Sequence, residues 1–172
     1  MVSAVVDVIV RGEGEADRSA IRQVNDAAFG SREESDLIES LRAGGDVLVS
    51  LVAEREGEIV GHILFSRMSI DTKAAAVPAA ALAPMAVLPR CQRQGIGGRL
   101  IARGLDDLRT LGERIVIVVG HPTYYPRFGF SSERARSLGH PFSPDAFMAL
   151  ELKPGALDDV RGWVKYPPAF RL

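Results

Sequence analysis

The sequence predicts a mixed α/β fold in a single domain that covers residues 1–172. β-branched runs typical of strands recur along the chain, and segments with helical apolar spacing lie between them. A short apolar run at residues 115–119 follows the clearest helix candidate, as expected for the second strand of a parallel strand–helix–strand unit. A chain of 172 residues can bury a sufficient apolar core without a disulfide or a metal.

The first third of the chain predicts a strand followed by two helices. The β-branched run at residues 5–10 predicts the strand, and no basic segment or cleavage site indicates a signal peptide. Apolar residues at helical spacing predict a helix over residues 17–29, and Gly30 is a typical C-terminal glycine. A second helix is expected to begin at Ser31, whose spacing to Glu34 matches a capping box.

The remaining elements form a predicted hairpin, a crossover and a terminal segment. Residues 73–80 are small, interrupted by proline and without a period, so they predict a loop. A helix is expected from Gly97, because apolar residues recur at helical spacing in the segment that follows it. The aromatic tail at residues 160–172 predicts a packed segment. Strands are predicted at residues 47–54, 58–69, 81–87, 115–119 and 146–152, with the first two joined as a hairpin.

A glycine-rich turn lies between the strand at residues 81–87 and the helix that follows. The segment 88–101, LPRCQRQGIGGRLI, has glycine at positions 95, 97 and 98. The start of a helix offers unpaired amides and the positive end of the helix dipole, so the turn predicts an anion site suited to phosphate. Two nucleotide patterns fail. Leu100 stands where a dinucleotide loop needs glycine, and no G-x-x-x-x-G-K-[ST] pattern occurs.

Two short patterns in the second half of the chain resemble the signatures of a known family. The turn matches Q-x-x-G-x-G at Gln92, Gly95 and Gly97, and residues 125–130, YPRFGF, match Y-x-[RK]-x-G-F. In this order they resemble the GNAT superfamily of acyl-CoA-dependent N-acetyltransferases, in which [QR]-x-x-G-x-[GA] binds the coenzyme A pyrophosphate. The segments GHILFS, LAPMAVLP and YPPAF look like one bacterial branch of predicted small-molecule N-acetyltransferases.

The resemblance implies a fold and a reaction. The implied GNAT fold has a central, mostly antiparallel twisted sheet of six to seven strands, one parallel strand–helix–strand unit and helices on both faces. The implied activity moves an acetyl group from acetyl-CoA, as cosubstrate, to a primary amine by direct attack on the thioester, without a metal. The alternative is a non-catalytic acyl-CoA-binding sensor or interaction module on the same fold. A nucleotide-binding α/β domain is a third interpretation, which depends on the glycine turn alone.

The resemblance also implies which residues form the site. Amides of residues 93–98 would hold the pyrophosphate, and Gly95 and Gly97 would leave room for it. Tyr125 takes the place of the general acid, because a phenol can donate a proton to a departing thiolate, and Tyr124 is the alternative. The implied coenzyme contacts are Met85, Ala86, Val87, Gln92, Arg93, Gln94, Gly95, Ile96, Gly97 and Gly98.

No sequence spacing singles out the base that would take the proton of the acceptor amine. His62 on a predicted strand and His121 before the aromatic turn are candidates, each weighed against a structural role. Glu33 and Glu34 lie where the family often places substrate contacts, although capping explains Glu34 as well. Cys91 is expected to be a loop residue, because this superfamily needs no cysteine intermediate. The arginines that flank the turn and could meet phosphate are Arg90, Arg93 and Arg99.

Composition limits the expected partners. The net charge of −1 gives no general attraction to nucleic acid or to an anionic membrane surface. A single cysteine excludes an intramolecular disulfide and a cysteine-based zinc site, which fits a cytoplasmic protein. The expected partner is an amine of a small molecule or a peptide. The identity of that acceptor, the length of the acyl chain and the formation of a homodimer stay open.

Overall fold

The computed structural model describes residues 7–172, so the strand predicted at residues 5–10 begins outside the described part. Residues 7–172 contain three α-helices: α1 (Arg18–Phe29), α2 (Glu33–Ala43) and α3 (Ile96–Thr110). The strands are β1 (Ile9–Gly12), β2 (Val47–Arg55), β3 (Glu58–Thr72), β4 (Ala76–Val87), β5 (Ile115–Val119), β6 (Leu138–Gly139), β7 (Phe147–Glu151) and β8 (Gly162–Lys165). None of the helices within residues 7–172 has the length and apolarity needed to cross a membrane.

The strands form one mostly antiparallel sheet, as predicted. The main path runs β1-β2-β3-β4-β5-β7, and the short strand β8 pairs with β3 and with β6. Strands β4 and β5 are parallel and are connected through α3, which confirms the predicted strand–helix–strand unit. The sheet has eight strands where six to seven were expected, because the tail and the segment before β7 add β8 and β6.

Helices cover both faces of the sheet, which confirms a further expectation. Alternate residues of β3 point to opposite faces, so Phe65 packs with α3 whereas Leu64 packs with α1 and α2. Leu100, Ile101, Leu105 and Leu108 form the buried stripe of α3. The two faces therefore carry separate apolar clusters, and the sheet lies between them.

Helix α3 lies very close to the sheet because glycine occupies the contact points. A Cβ atom at Gly104 would lie 2.2 Å from the Phe65 ring, and one at Gly61 would lie 3.1 Å from Leu100. Bulkier residues at these points would push the helix outward. The close approach fixes where the N-terminus of α3 stands relative to β3 and β4.

The loop predicted at residues 73–80 is confirmed only for residues 73–75, because β4 begins at Ala76 and pairs with β3. Ala79 and Ala81 pack in one apolar cluster and Ala80 in another, so small residues are buried on both faces from Ala79 onward and the residue type does not alternate. Pro78 is tolerated because β5 pairs with β4 only from Ala80 onward, which leaves the outer edge of β4 free of a ladder at the proline.

Two boundaries and the placement of one aromatic residue also differ from the sequence prediction. Strand β1 continues through Arg11 to Gly12, beyond the predicted end of the strand at residue 10. Ser31 does not cap α2: the helix begins at Glu33, and the Ser31 hydroxyl accepts from the Glu33 amide and donates to Glu34. The chain needs the extra residues to reverse direction after Gly30, which is left-handed. In the tail, Tyr166 and Phe170 pack as expected, but Trp163 is 59% exposed.

The contact between Gly104 and Phe65 predicts an unusual response to alanine. In a helix interior, Gly→Ala normally stabilises by about 1 kcal/mol. Here Gly104→Ala should instead lower the free energy of unfolding by about 1–3 kcal/mol, because the methyl group collides with the ring. Denaturant unfolding measures the change. The exposed Ala102→Gly on the same helix is the control, since it should lose only the helix propensity of about 1 kcal/mol. A Gly104→Ala variant more stable than the original chain would contradict the prediction.

Candidate active site

A cleft opens where β4 separates from β5. The two strands pair only from Ala80 to Leu82 of β4, so the rest of β4 has no partner strand on that side. Between the pairs Ile63–Met85 and Phe65–Leu82, β4 has one residue more than β3, which is a bulge at the point of separation. Bulges bend a strand, and this one turns β4 away from its neighbour. The resulting cleft has a volume of about 1050 Å³.

The cleft is lined from both faces of the sheet. Met85 pairs with Ile63 and therefore faces α3, whereas Ala86 pairs with His62 and faces α1. Residues of the α1–α2 region, the end of β5 and the aromatic turn complete the walls. They are Ala28, Phe29, Glu34, Leu37, Val119, Gly120, His121, Tyr124, Tyr125, Arg127 and Phe128.

The glycine turn forms one end of the cleft at the start of α3. Arg93 and Gly95 have positive φ angles, +62° and +83°, so the chain turns sharply before the helix. Gly95 is the N-cap residue and supplies no side-chain hydrogen bond. The amides of Ile96, Gly97 and Gly98 therefore lack helical partners, and the positive end of the dipole faces the cleft.

Positions 95 and 97 favour glycine for different physical reasons. A Cβ atom at Gly95 would meet nothing within 4 Å, so glycine is favoured there by its left-handed backbone. A Cβ atom at Gly97 would lie 2.8 Å from the Tyr124 hydroxyl oxygen and 3.4 Å from Met85 Cε. The glycine turn and the aromatic turn are therefore in direct contact at Gly97.

The glutamines in the turn point in different directions. The Gln92 side-chain amide donates to the Val87 carbonyl oxygen at 3.0 Å, which ties the turn to the end of β4. Gln94 instead accepts from Arg55 at 2.8 Å and does not line the cleft. Of the residues that the sequence assigns to the site, the cleft brings together Met85, Ala86, Val87, Gln92, Arg93, Gly95, Ile96, Gly97, Gly98 and Tyr125.

Tyr125 places a buried ring and an unpaired hydroxyl at the cleft. Its ring lies against the backbone of Gly120, where a Cβ atom would be only 2.3 Å from Cε2. Edge contacts with Tyr124 and Phe130 hold the ring, with centroids 5.1 and 5.8 Å away. Tyr125 lines the cleft, and within residues 7–172 its hydroxyl has no side-chain or backbone hydrogen-bond partner. Burial raises the pKa of Tyr125 to about 12, and Tyr124 adds to the shift.

Tyr124 lies nearer to the start of α3 and is more exposed than Tyr125. Arg127 stacks over its ring at 5.5 Å. Burial raises the pKa of Tyr124, and the positive charge of Arg127 opposes that shift. Both phenols therefore keep their protons at neutral pH.

The candidate bases differ in whether they line the cleft. His62 is fully buried on the α1 face, where the Asn25 amide donates to Nδ1 at 3.2 Å and Nε2 lies 3.0 Å from the Ser50 hydroxyl. Burial lowers the pKa of His62 to about 3, and Arg42 adds to the shift. His62 does not line the cleft, so it is not placed to take a proton there. Glu34 and His121 do line it.

The other residues singled out in the sequence also differ in whether they line the cleft. Glu33 is exposed and lies off the cleft wall, as does Arg99. Arg90 pairs with Glu58, whereas Arg93 lines the cleft. Cys91 is buried beneath the turn and accepts from Arg55 at 2.7 Å. Within residues 7–172, no group of three or more His, Cys, Asp or Glu side chains is arranged to hold a metal ion.

Sequence reasoning missed the apolar part of the wall. Phe29 ends α1 and Leu37 lies on α2, and both reach the cleft from the α1 face. Val119 does so from the end of β5. The sequence offered one local signal for this wall. Phe29 is a large apolar residue at the end of a predicted helix, where few residues of the same helix can cover it.

Comparison with known proteins identifies the family. The sequence model described as an acetyltransferase (GNAT) domain matches residues 10–132. The chain belongs to the GNAT acetyltransferase family. The resemblance noted in the sequence is thereby confirmed, and so are the mixed fold and the parallel β4–β5 pair that it implied.

Relatives of this GNAT domain cover most of the chain. It is 45% identical over 117 residues to the uncharacterized N-acetyltransferase YjhQ of Escherichia coli K12, a match over 67% of this chain and 65% of YjhQ. It is 31% identical to the uncharacterized N-acetyltransferase YhbS of the same strain, over 95% of this chain and 98% of YhbS.

Two solved structures have the same fold with coenzyme bound. The crystal structure of E. coli YhbS in complex with CoA has a TM-score of 0.89 at 29% identity and covers 100% of this chain and 96% of that one. A GNAT family acetyltransferase from Brucella melitensis in complex with acetyl-CoA has a TM-score of 0.80 at 36% identity, over 96% of this chain and 99% of that one.

The raised pKa of Tyr125 predicts that its hydroxyl loses its proton at a higher pH in the folded chain than in the unfolded one. A tyrosine titrates near pH 10 in the unfolded chain and Tyr125 at about 12 in the folded one. Because the folded state binds this proton more tightly, the associated stability is present below pH 10 and is lost as the pH rises through 12. The near-ultraviolet absorbance of tyrosinate, compared between the original chain and Tyr125→Phe, should differ by a step above pH 11. A step at or below pH 10 would contradict burial of the phenol.

Proposed function

We propose that the chain, as one acetyltransferase domain over residues 1–172, transfers an acetyl group from acetyl-CoA to a primary amine of a small molecule or a peptide. One observation carries the proposal: the uncapped N-terminus of α3, the unpaired end of β4 and the unbonded Tyr125 hydroxyl all face one cleft. Binding of acetyl-CoA, measured by calorimetry, tests the first step. No saturable binding at millimolar coenzyme would overturn it.

The turn before α3 fits a pyrophosphate group. The amides of Ile96, Gly97 and Gly98 lack helical acceptors, and negative charge is favoured at this end of the helix. The absence of a Cβ at Gly97 leaves the backbone accessible from the cleft. Arg93 lines the same end and adds positive charge. These groups are the proposed holders of the coenzyme phosphates, together with the amides of the preceding turn residues Gln94 and Gly95.

The free edge of β4 fits the extended arm of the coenzyme. Strand β5 pairs with β4 only as far as Leu82, so the edge of residues 83–87 on that side has no partner strand and can bind an extended chain as a further strand would, apart from the Val87 carbonyl oxygen, which accepts from Gln92. Met85, Ala86 and Val87 are the proposed contacts, through their backbone. An amide in this stretch is also the proposed donor to the carbonyl oxygen at which charge develops.

Tyr125 is the proposed general acid. Acetyl-CoA supplies an acetyl thioester, which a neutral primary amine can attack directly to give an amide and a free thiol. The sulfur then needs a proton, and the Tyr125 hydroxyl can donate one because it is protonated at neutral pH and has no partner within residues 7–172. The proton released from the amine balances the one that Tyr125 gives, so the phenol is restored after each cycle.

A binding module that senses acyl-CoA is the competing function. It would use the same turn and the same edge of β4, but it would have no use for a proton donor at the cleft. The unpaired Tyr125 hydroxyl therefore favours catalysis. Release of free thiol from acetyl-CoA in the presence of a panel of primary amines distinguishes the two functions, because a sensor would release none with any amine.

Removal of the Tyr125 hydroxyl should slow transfer without weakening coenzyme binding. Tyr125→Phe is expected to lower kcat by about 100-fold or more, because general acid catalysis contributes on that scale. The dissociation constant of acetyl-CoA should stay the same. Tyr166→Phe is the matched control, since Tyr166 is a partly buried tyrosine away from the cleft. Unchanged turnover in Tyr125→Phe, with loss in Tyr124→Phe, would move the role to Tyr124.

A methyl group at Gly97 should weaken acetyl-CoA binding in two separable ways. Gly97→Ala collides with the Tyr124 hydroxyl and also narrows the proposed phosphate site, so affinity should fall about tenfold or more. The double variant Gly97→Ala/Tyr124→Phe removes the collision but leaves the methyl group. Its melting temperature should recover, whereas its affinity, measured by calorimetry, should stay low. Recovery of both would mean that Gly97 serves packing alone.

A further inference from the structure

We propose that the acceptor is a cationic amine on an apolar body, and that Glu34 binds its ammonium group before that group loses a proton to solvent and attacks as the neutral amine. This inference rests on the proposed function and adds the chemical class of the acceptor. It comes from the wall of the cleft on the α1 face, opposite the start of α3. That wall consists of Ala28, Phe29 and Leu37 together with one carboxylate, Glu34.

Glu34 has the surroundings of a ligand-binding carboxylate. Among the described residues that line the cleft, it is the one acidic side chain. It is partly buried, and the Ser31 hydroxyl donates to its Oε2 at 3.2 Å, which orients the group. No basic side chain of residues 7–172 lies within 4.0 Å of it, whereas Asp36 and Glu39 of the same helix pair with Arg22 and Arg42.

The rest of the wall suits an apolar group. Phe29 is 43% exposed and Val119 is 40% exposed, and both line this cleft. Covering apolar surface lowers the free energy, so this wall suits an aromatic or aliphatic group. The body of the acceptor would cover these side chains while its ammonium group meets Glu34.

The same arrangement predicts which amines are rejected. An acceptor with a carboxylate beside its amine would bring that negative charge close to Glu34, and like charges repel. An acceptor with a hydroxyl in place of the apolar body would leave Phe29 and Val119 uncovered. A polyamine would satisfy Glu34 but would place further charges against the apolar wall.

Three probes of related structure test the class. Phenethylamine has the ammonium group and the apolar body, phenylalanine adds a carboxylate to it, and ethanolamine lacks the apolar body. At saturating acetyl-CoA, kcat/KM should be about tenfold or more higher for phenethylamine than for either of the other two. Equal or higher values for phenylalanine, ethanolamine or a polyamine would overturn the inference.

Variants on the wall test the two contacts separately. Glu34→Gln should raise the KM of phenethylamine about tenfold with little change in kcat, and it should relax the discrimination against phenylalanine. Glu33→Gln, the exposed neighbour off the cleft wall, is the matched control and should behave like the original chain. Phe29→Ala should reduce the preference for phenethylamine over ethanolamine. A fall in kcat at unchanged KM in Glu34→Gln would make Glu34 a base and would overturn the binding role.

Direct binding separates failure of this inference from failure of the proposed function. Calorimetry of each amine with the protein saturated with CoA measures the acceptor site without turnover. Phenethylamine should bind the original chain more tightly than it binds Glu34→Gln, even if no amine is acetylated. Absence of that difference overturns the inference, whereas absence of thiol release with intact amine binding overturns only the catalytic proposal. Melting temperatures of the variants identify any that fail to fold.

Discussion

The end of the β4–β5 ladder after Leu82 is the constraint on which the site depends. Backbone amides and carbonyls inside a sheet are normally consumed by the neighbouring strand. In this chain a one-residue bulge turns β4 away, and the groups that β5 would have taken are left facing a cleft. The free edge of β4 is thereby the proposed binding surface, and the chemistry of that edge does not depend on the side chains of the strand. Small and apolar residues, including Ala83 and Ala86, can line it without loss of polar contacts.

The position of α3 also depends on residues that lack a side chain. Gly61 and Gly104 remove the atoms that would separate the helix from the sheet, so Phe65 and Leu100 set the spacing directly. The helix therefore begins at a fixed place beside the free end of β4. A helix dipole acts over only the first turn, so this rigid placement decides whether its positive end can serve the cleft. The close packing of α3 on the sheet therefore also sets the position of the amides that are proposed to bind phosphate.

The sequence predicted those parts of the molecule whose determinants are local. The strand Ile115–Val119 and the glycine turn were identified with the correct neighbours, because an unbroken apolar run and adjacent glycines are each explained by their own residues. Ala76–Ala80 was missed as a strand because only Ala79 and Ala80 are buried, on opposite faces of the sheet, and the burial of each depends on partners in other elements. The apolar part of the cleft wall was missed for a similar reason. Phe29 and Val119 belong to distant segments, and only the closing of the sheet brings them together.

The contact between Tyr124 and Gly97 couples two motifs that are far apart in the sequence. A methyl group at position 97 would lie 2.8 Å from the hydroxyl oxygen of Tyr124, so a side chain at position 97 would require the Tyr124 side chain to move. The glycine turn and the aromatic turn are therefore coupled through this contact. A chimera that received only one of the two turns from another member of the family would lose the fit between positions 97 and 124.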